Sequence, residues 1–357
     1  MSFIHAASEE CVKSELDLFQ LAPTQISIEN STYVEISPLS ALTPNAPLEY
    51  FIMGHGEHYT DLNSTLLYVS CKIVKADGTH IDDGSRVALT NYPIASLFNQ
   101  LDVTLGDRLI TQSHHCYSYW AVIELILNFG GDLLGTQFTA GVFYKDDSDL
   151  MENRLLINGV DMKVKFTRSR NEFCVMKEGN ENYKVQLLSA SLFVKCVKVA
   201  LDVCLGHAEA LLTSNAKYPI DRVGMKFYSI PAGSLVCNQE NLFLGQLPKQ
   251  LVIGFVDNAS FSGDYERNPF NFQHCNVNFC ALHCDGEQIS AKPLQPDYEQ
   301  GLFVREYMQM VQATGKGMKD RPLLINRGCH PLLCPAETAV TAVLVMLEVS
   351  EVLPLDK

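Results

Sequence analysis

The sequence predicts an all-β protein made of two β-sandwich modules in tandem. Short runs with a two-residue apolar period dominate it, tight glycine turns separate those runs, and helix signals are few. Strands at regular spacing with turn residues between them favour sandwiches over an alternating β-α-β sheet. At 357 residues the chain is long enough for two domains. Hydrophobic residues make up 47% and charged residues 19%, which suits a globular chain with a sizeable core.

Thr32–Ile36 is the first expected strand. Leu67, Val69, Cys71 and Ile73 then alternate with Tyr68, Ser70 and Lys72 as in a half-buried strand, ending at Asp77-Gly78. Leu101, Val103 and Leu105 alternate up to Gly106-Asp107, a two-residue turn of type II′ character that returns the chain through Arg108-Leu109-Ile110. Tyr117–Phe129 carries Trp120, Ile123 and Leu127 at helical spacing and is stopped by Gly130-Gly131. Tyr183–Val199 is long enough for one or two strands. A second helix over Val203–Asn215 places Leu205, Ala208, Leu211 and Leu212 on one face, with Pro219 beyond. Val223, Met225 and Phe227 alternate, and Leu251–Val256 is an almost wholly apolar strand. Val277, Phe279 and Ala281 alternate into a second tight turn at Asp285-Gly286. Ala339–Val349 reads as a buried strand, too short and too interrupted for a bilayer span.

The halves echo each other. Asn91-Tyr92-Pro93 leads through Phe98 to a strand, the Gly106-Asp107 turn and Ile110. Asn268-Pro269-Phe270 leads through Phe272 to a strand, the Asp285-Gly286 turn and Ile289. Two copies of one β-module would explain this order, with the boundary near residues 200–218.

The net charge of −14 disfavours sequence-independent binding to phosphate backbones. Met1-Ser2-Phe3-Ile4-His5 lacks the features of a secretory signal, so the twelve cysteines are expected as reduced thiols and the sequons at Asn30, Asn63 and Asn258 as chance matches. Synthesis in the cytoplasm follows. Gly315-Lys316-Gly317 is no P-loop, and Gly233-Ser234 lacks the pattern of a nucleophile elbow.

Metal binding is the tempting chemistry. His274, Cys275, Cys280, His283 and Cys284 lie close in sequence. On a strand, however, Cys280 and Cys284 stand roughly 13 Å apart on one face, while Cys275 and His283 share the other. No C-x-x-C knuckle is present, so buried thiols acting as small hydrophobes are the preferred reading. Gly54-His55-Gly56-Glu57-His58 reads as a solvated turn, and His114-His115-Cys116 as a structural segment before the Trp120 helix. Phe261, Tyr265, Phe270 and Phe272 surround Arg267, but Asp257, Asp264 and Glu266 cancel its charge, so these aromatics read as packing rather than base stacking. No catalytic, cofactor or metal residue is assigned, and no cofactor is expected.

Three stretches carry a resemblance to a known family. They are Glu10-Cys11-Val12-Lys13-Ser14-Glu15-Leu16-Asp17-Leu18-Phe19; Ser96-Leu97-Phe98-Asn99-Gln100-Leu101-Asp102-Val103; and the run from Gln239-Glu240-Asn241-Leu242-Phe243-Leu244-Gly245-Gln246-Leu247-Pro248-Lys249 through Asn268-Pro269-Phe270-Asn271-Phe272 to Lys292-Pro293-Leu294-Gln295-Pro296-Asp297. Together they resemble the major capsid proteins of Maverick/Polinton elements, which share their architecture with adenovirus hexon and giant-virus capsid proteins.

The resemblance implies a double jelly roll: an N-terminal arm over 1–24, a first jelly roll over 25–200, a linker helix over 201–218 and a second jelly roll over 219–357. It implies a non-enzymatic homotrimer with a pseudo-six-fold outline that tiles an icosahedral shell. The partners implied are other copies of the chain, a penton or minor capsid protein and a maturation protease, with assembly in the host nucleus, no membrane span and no nucleic-acid specificity. Loops 140–165 and 257–275 are the expected places for subunit contacts. Beyond about Arg327 the sequence, with Gly328-Cys329-His330-Pro331-Leu332-Leu333-Cys334-Pro335, departs from the family, so the second jelly roll is expected to lack strands. Two other classes remain open. One is a monomeric β-sandwich that binds a ligand or carbohydrate. The other is a cupin-like metalloenzyme drawing on His55, His58, His114 and His115.

Overall fold

The computed structural model describes residues 25–44, 46–54, 56–111, 115–128, 155–156, 160–242, 248, 250–284, 286–289, 292–313 and 341–355. Along the first half run β1 (Ile28–Ile36), β2 (Leu48–Ile52), β3 (His58–Lys75), β4 (Val87–Leu89), α1 (Pro93–Ser96), β5 (Phe98–Leu105), β6 (Arg108–Leu109) and α2 (Tyr117–Asn128). They are followed by β7 (Leu155–Leu156), β8 (Met162–Arg168), α3 (Asn171–Cys174), β9 (Val175–Lys177), β10 (Tyr183–Val199) and α4 (Leu201–Ala210). The expected alternations fall inside β1, β3 and β5, and the long apolar run becomes one strand, β10.

The strands pair in the orders β1-β10-β3-β7 and β2-β8-β5-β6, two four-stranded sheets, with β4 and β9 forming a separate ribbon. Every pairing is antiparallel. Last-beside-first ordering across two sheets is that of an eight-stranded jelly roll. The turn between β5 and β6 is the expected two-residue one: Leu105 pairs with Arg108, and Gly106 takes a φ of +57°, which a residue with a side chain rarely adopts.

The period-two pattern decides what each sheet buries. Leu48, Tyr50 and Ile52 of β2 point inward, as do Met162, Val164 and Phe166 of β8. They meet Val185, Leu187, Leu192 and Val194 of β10, with Leu67, Val69, Cys71 and Ile73 of β3 packed against them. Phe98 sits within this core, 5.0 Å from Phe166 between ring centroids.

The second half contains β11 (Ala216–Ile230), β12 (Gln250–Asp257), α5 (Asn258–Ser262), β13 (His283–Cys284), β14 (Glu287–Gln288), α6 (Val304–Ala313) and β15 (Thr341–Leu355). Its sheet has the order β11-β15-β12. The final strand again lies between the first and a later one, as β10 lies between β1 and β3. The repetition is therefore real in topology, but it does not run through the segments that echo in sequence. Asn91-Tyr92-Pro93 opens α1 and β5, whereas no strand forms over 277–281. There Cys275 and Asn276 both take φ +47°, a left-handed pair that breaks any ladder, and Phe279 is exposed. Only a minimal hairpin, β13–β14, follows around Gly286, while Asp285 lies outside the described residues.

One further expectation is corrected. The linker helix ends at Ala210, and β11 already begins at Ala216. Its buried side is Val203 and Cys204, packed against Tyr59, Val197 and Val199; Leu205, Ala208 and Leu212 face solvent. Segment 257–275 opens with α5 and continues as an irregular connection whose aromatics pack inward. Phe261, Phe270 and Phe272 pack on Tyr119, Ile123 and Leu127 of α2, and Tyr265 reaches the first core. Within 140–165, β8 occupies an interior place in its sheet, and 140–154 lie outside the described residues.

Gly254 in β12 shows how tight this junction is. A Cβ there would lie 3.1 Å from Cδ1 and 3.2 Å from Cε1 of Phe272. Gly254→Val is expected to lower stability by about 1–3 kcal/mol by overpacking, measured as a drop in the thermal midpoint.

Candidate assembly surface

The two outer faces of the first jelly roll differ in chemistry. On the β2-β8-β5-β6 sheet the outward residues are charged. Lys165 pairs with Glu49 at 2.8 Å, and Lys163 lies over the Phe51 ring at 5.9 Å. On the β1-β10-β3-β7 sheet they are mixed, with an exposed apolar group among polar residues. Leu66 lies opposite Phe193, and Phe193 in turn opposite Glu35; Tyr68 lies opposite Ser191, and Tyr33 opposite Lys195. Tyr33, Leu66 and Tyr68 are each more than half exposed. A signal for this face was available: Leu66-Leu67-Tyr68-Val69 and Leu192-Phe193-Val194 are apolar in both phases of the strand, the pattern of a sheet covered on both sides. Reading only Leu67, Val69, Cys71 and Ile73 missed it.

One end of the same face is covered by α4. The Tyr59 hydroxyl of β3 and Nδ1 of His207 in α4 lie 2.8 Å apart, and the two rings stack. Between helix and patch sits Asp61, almost fully buried. It accepts from the Ser64 hydroxyl at 2.7 Å, from the Ser64 N–H at 3.3 Å and from Lys195 Nζ at 3.0 Å. Burial raises the pKa of its carboxyl, but the bonds from Ser64 and Lys195 outweigh burial and leave it below the ordinary carboxylate value. A depressed pKa contributes stability that is present above the unfolded value and lost as pH falls through the folded one. Asp61→Asn is therefore expected to cost about 1–3 kcal/mol at neutral pH. Its deficit should shrink below about pH 4, as read by thermal melts across that range.

The residues weighed for chemistry are dispersed. His274 stacks on Tyr298 at 3.9 Å, and its Nδ1 accepts from the Asn276 N–H. Cys280 bridges to Leu294, Cys275 is exposed, and His283 and Cys284 lie in β13. Cys116 is buried beneath α2, its thiol pushed up to about 11 by desolvation, while His115 is exposed. Arg267 pairs with Asp257 and Asp264. His58 opens β3, while His55 and His114 lie outside the described residues. Among the described residues no group of three His, Cys, Asp or Glu side chains is placed to hold a metal, and no helix is long and apolar enough to cross a membrane.

Comparison with known proteins bears on the fold. No protein-family model matches the sequence. A curated but uncharacterized protein of Caenorhabditis elegans is 21% identical over 330 residues, covering 82% of this chain and 78% of its own length. Among solved structures, the chain is similar to VP54 of PBCV-1, fitted into a cryo-EM reconstruction of the virophage Sputnik, with a TM-score of 0.52 and 10% identity over 94% of this chain and 96% of that one. It is also similar to a chain of the PBCV-1 virus capsid, with a TM-score of 0.51 and 10% identity over 92% and 86%. These likenesses extend over both halves, and the fold is all-β, a double jelly roll with a few short helices in its connections.

Proposed function

We propose that this chain is a shell-building major capsid protein, encoded by a virus-like transposable element of the Maverick/Polinton type, that trimerises into capsomers of an icosahedral shell. The observation that carries the reading is the exposed group of Tyr33, Leu66 and Tyr68 on the outer face of the β1-β10-β3-β7 sheet, set against the charged outer face of the other sheet. Clustered exposed aromatic and aliphatic side chains on a soluble chain mark places where partners bind. Two jelly rolls per chain mean that three chains present six similar modules, the geometry of a pseudo-hexagonal tile.

The fold likeness to chains of a virus capsid supports a structural, non-enzymatic role in a shell. A relative in an animal, combined with a capsid-like fold, supports an element resident in a cellular genome. The family resemblance adds a penton protein and a maturation protease as partners, and assembly in the nucleus. The departure after Arg327 belongs to a stretch outside the described residues, so its tolerance is a matter for assembly itself.

Electron microscopy of the concentrated full-length protein tests the proposal. Pseudo-hexagonal tiles or closed shells are expected. Dispersed single chains that bind a carbohydrate would favour the monomeric binding module instead.

A further inference from the structure

β3 reverses its phase partway along. At its start Tyr59 and Asp61 point to the outer face, where Tyr59 packs with Val197 beneath α4. Further on, Leu67, Val69, Cys71 and Ile73 point to the core, and Leu66 and Tyr68 to the outer face. Side chains alternate along a strand, so a regular ladder cannot place Tyr59 and Leu66 on the same side. The pairing with β10 shows how the chain does so. Asp61 stands opposite Lys195 and Leu66 opposite Phe193, so the four residues Leu62 to Thr65 stand where Val194 stands alone. The surplus is odd, and an odd surplus exchanges the two faces.

This bulge creates the exposed apolar group. Were β3 to run on regularly from Tyr59, Leu67 and Val69 would face outward and Leu66 and Tyr68 would face the core. Asp61 closes the bulge. Its carboxylate accepts from the N–H and the hydroxyl of Ser64 within the bulge and from Lys195 on the neighbouring strand, and its carbonyl accepts from the Thr65 hydroxyl at 3.3 Å. The side chain is only 6% exposed, a setting in which such bonds are stronger than in water. Lys195 in turn stands opposite Tyr33, the third member of the exposed group. On the inner side Leu62 packs against the first core.

We propose that Asp61 is the positioning residue of the assembly face: through Ser64 and Lys195 it holds the bulge that turns Leu66 and Tyr68 toward a second copy of the chain. The proposal rests on the self-association reading and adds to it what fixes the face.

Sedimentation of variants well below their melting temperatures tests it. Ser64→Ala removes one bond to the carboxylate and leaves Tyr33, Leu66 and Tyr68 in place. It should raise the dissociation constant of self-association about tenfold, the loss expected for one hydrogen bond to a charged group. Ser64→Thr keeps the hydroxyl and should associate like the wild type. Gly254→Val, destabilised in the second half, should also associate like the wild type, which separates positioning from loss of stability. Removing Leu62, Asn63 and Ser64 leaves Thr65 alone opposite Val194, a regular ladder with the same side chains outward. In that shortened chain Asp61→Ala should leave association unchanged, whereas in the full chain it should weaken it by at least about tenfold. Ser64→Ala associating like the wild type, or Gly254→Val weakening association as much, would overturn the proposal while leaving self-association standing. Asp61→Ala weakening the shortened and the full chain alike would do the same. If the shortened chain does not fold, the two Ser64 variants decide alone. A wild type that stays a single chain at every concentration would overturn both readings.

Discussion

A chain carrying Leu66→Lys and Tyr68→Lys together is expected to fold normally and to remain monomeric where the wild type assembles. Both side chains are more than half exposed on the outer face of the β1-β10-β3-β7 sheet, at 57% and 56%. Surface changes of this kind usually move stability by no more than about 0.5 kcal/mol. Their effect on association is far larger. Each side chain buried at an interface contributes about 1.5–3 kcal/mol. Each ammonium buried there in its place adds an uncompensated desolvation cost. A thousandfold or greater rise in the dissociation constant, about 4 kcal/mol, follows. The matching control is Lys163→Leu on the charged outer face of the opposite sheet, which should leave association unchanged. Sedimentation equilibrium reads both variants.

Substitution at Tyr119 is expected to have the largest effect on folding, and its sign depends on which atoms are removed. The ring is 2% exposed and lies 5.4 Å from Phe261, 5.7 Å from Phe270 and 5.6 Å from Phe173 between centroids. These neighbours come from α3, from α5 and from the segment after α5, so the ring fastens the first jelly roll to the second half. Tyr119→Ala should cost about 3–5 kcal/mol through lost burial and the cavity left behind. It should also split the unfolding transition, because the two halves lose their shared cluster. The Tyr119 hydroxyl, in contrast, is buried with no hydrogen-bond partner among the described residues. Burial also pushes its pKa far up, with the nearby Cys116 adding to the rise. Tyr119→Phe removes that unsatisfied group and keeps the ring, so it should be neutral or should stabilise by about 1 kcal/mol. Chemical denaturation of the two variants separates ring from hydroxyl.

Of the first jelly roll, β1, β3, β5, β6 and β10 were legible because their apolar residues alternate locally, whereas β2, β7 and β8 were not read. The phases of β3 and β5, the Gly106 turn and the helix over Tyr117–Asn128 all follow from local pattern. What failed is equally physical. The strand expected at Val277–Ala281 has the right alternation, but the left-handed pair at Cys275 and Asn276 is set by the loop around His274, which period alone cannot reveal. The helix after β10 was assigned its leucine face as the buried one. It sits instead on Val203 and Cys204, because Tyr59 and Val197 offer a surface only to that side. The aromatics of 257–275 read as packing from sequence, and three of them converge on Tyr119, but their partner on a distant helix is not visible in local pattern. The candidate surface was the least legible part. An apolar residue that faces a partner is written in the same letters as one that faces the core, and the register against β10 is needed to tell Leu66 from Leu67.

The central claim is that this double jelly roll works by self-association, and the mass of the full-length protein in solution tests it most directly. Size-exclusion chromatography with light scattering is predicted to give a stable species at three times the 39.7 kDa chain. A species at 39.7 kDa that persists at every concentration would contradict it.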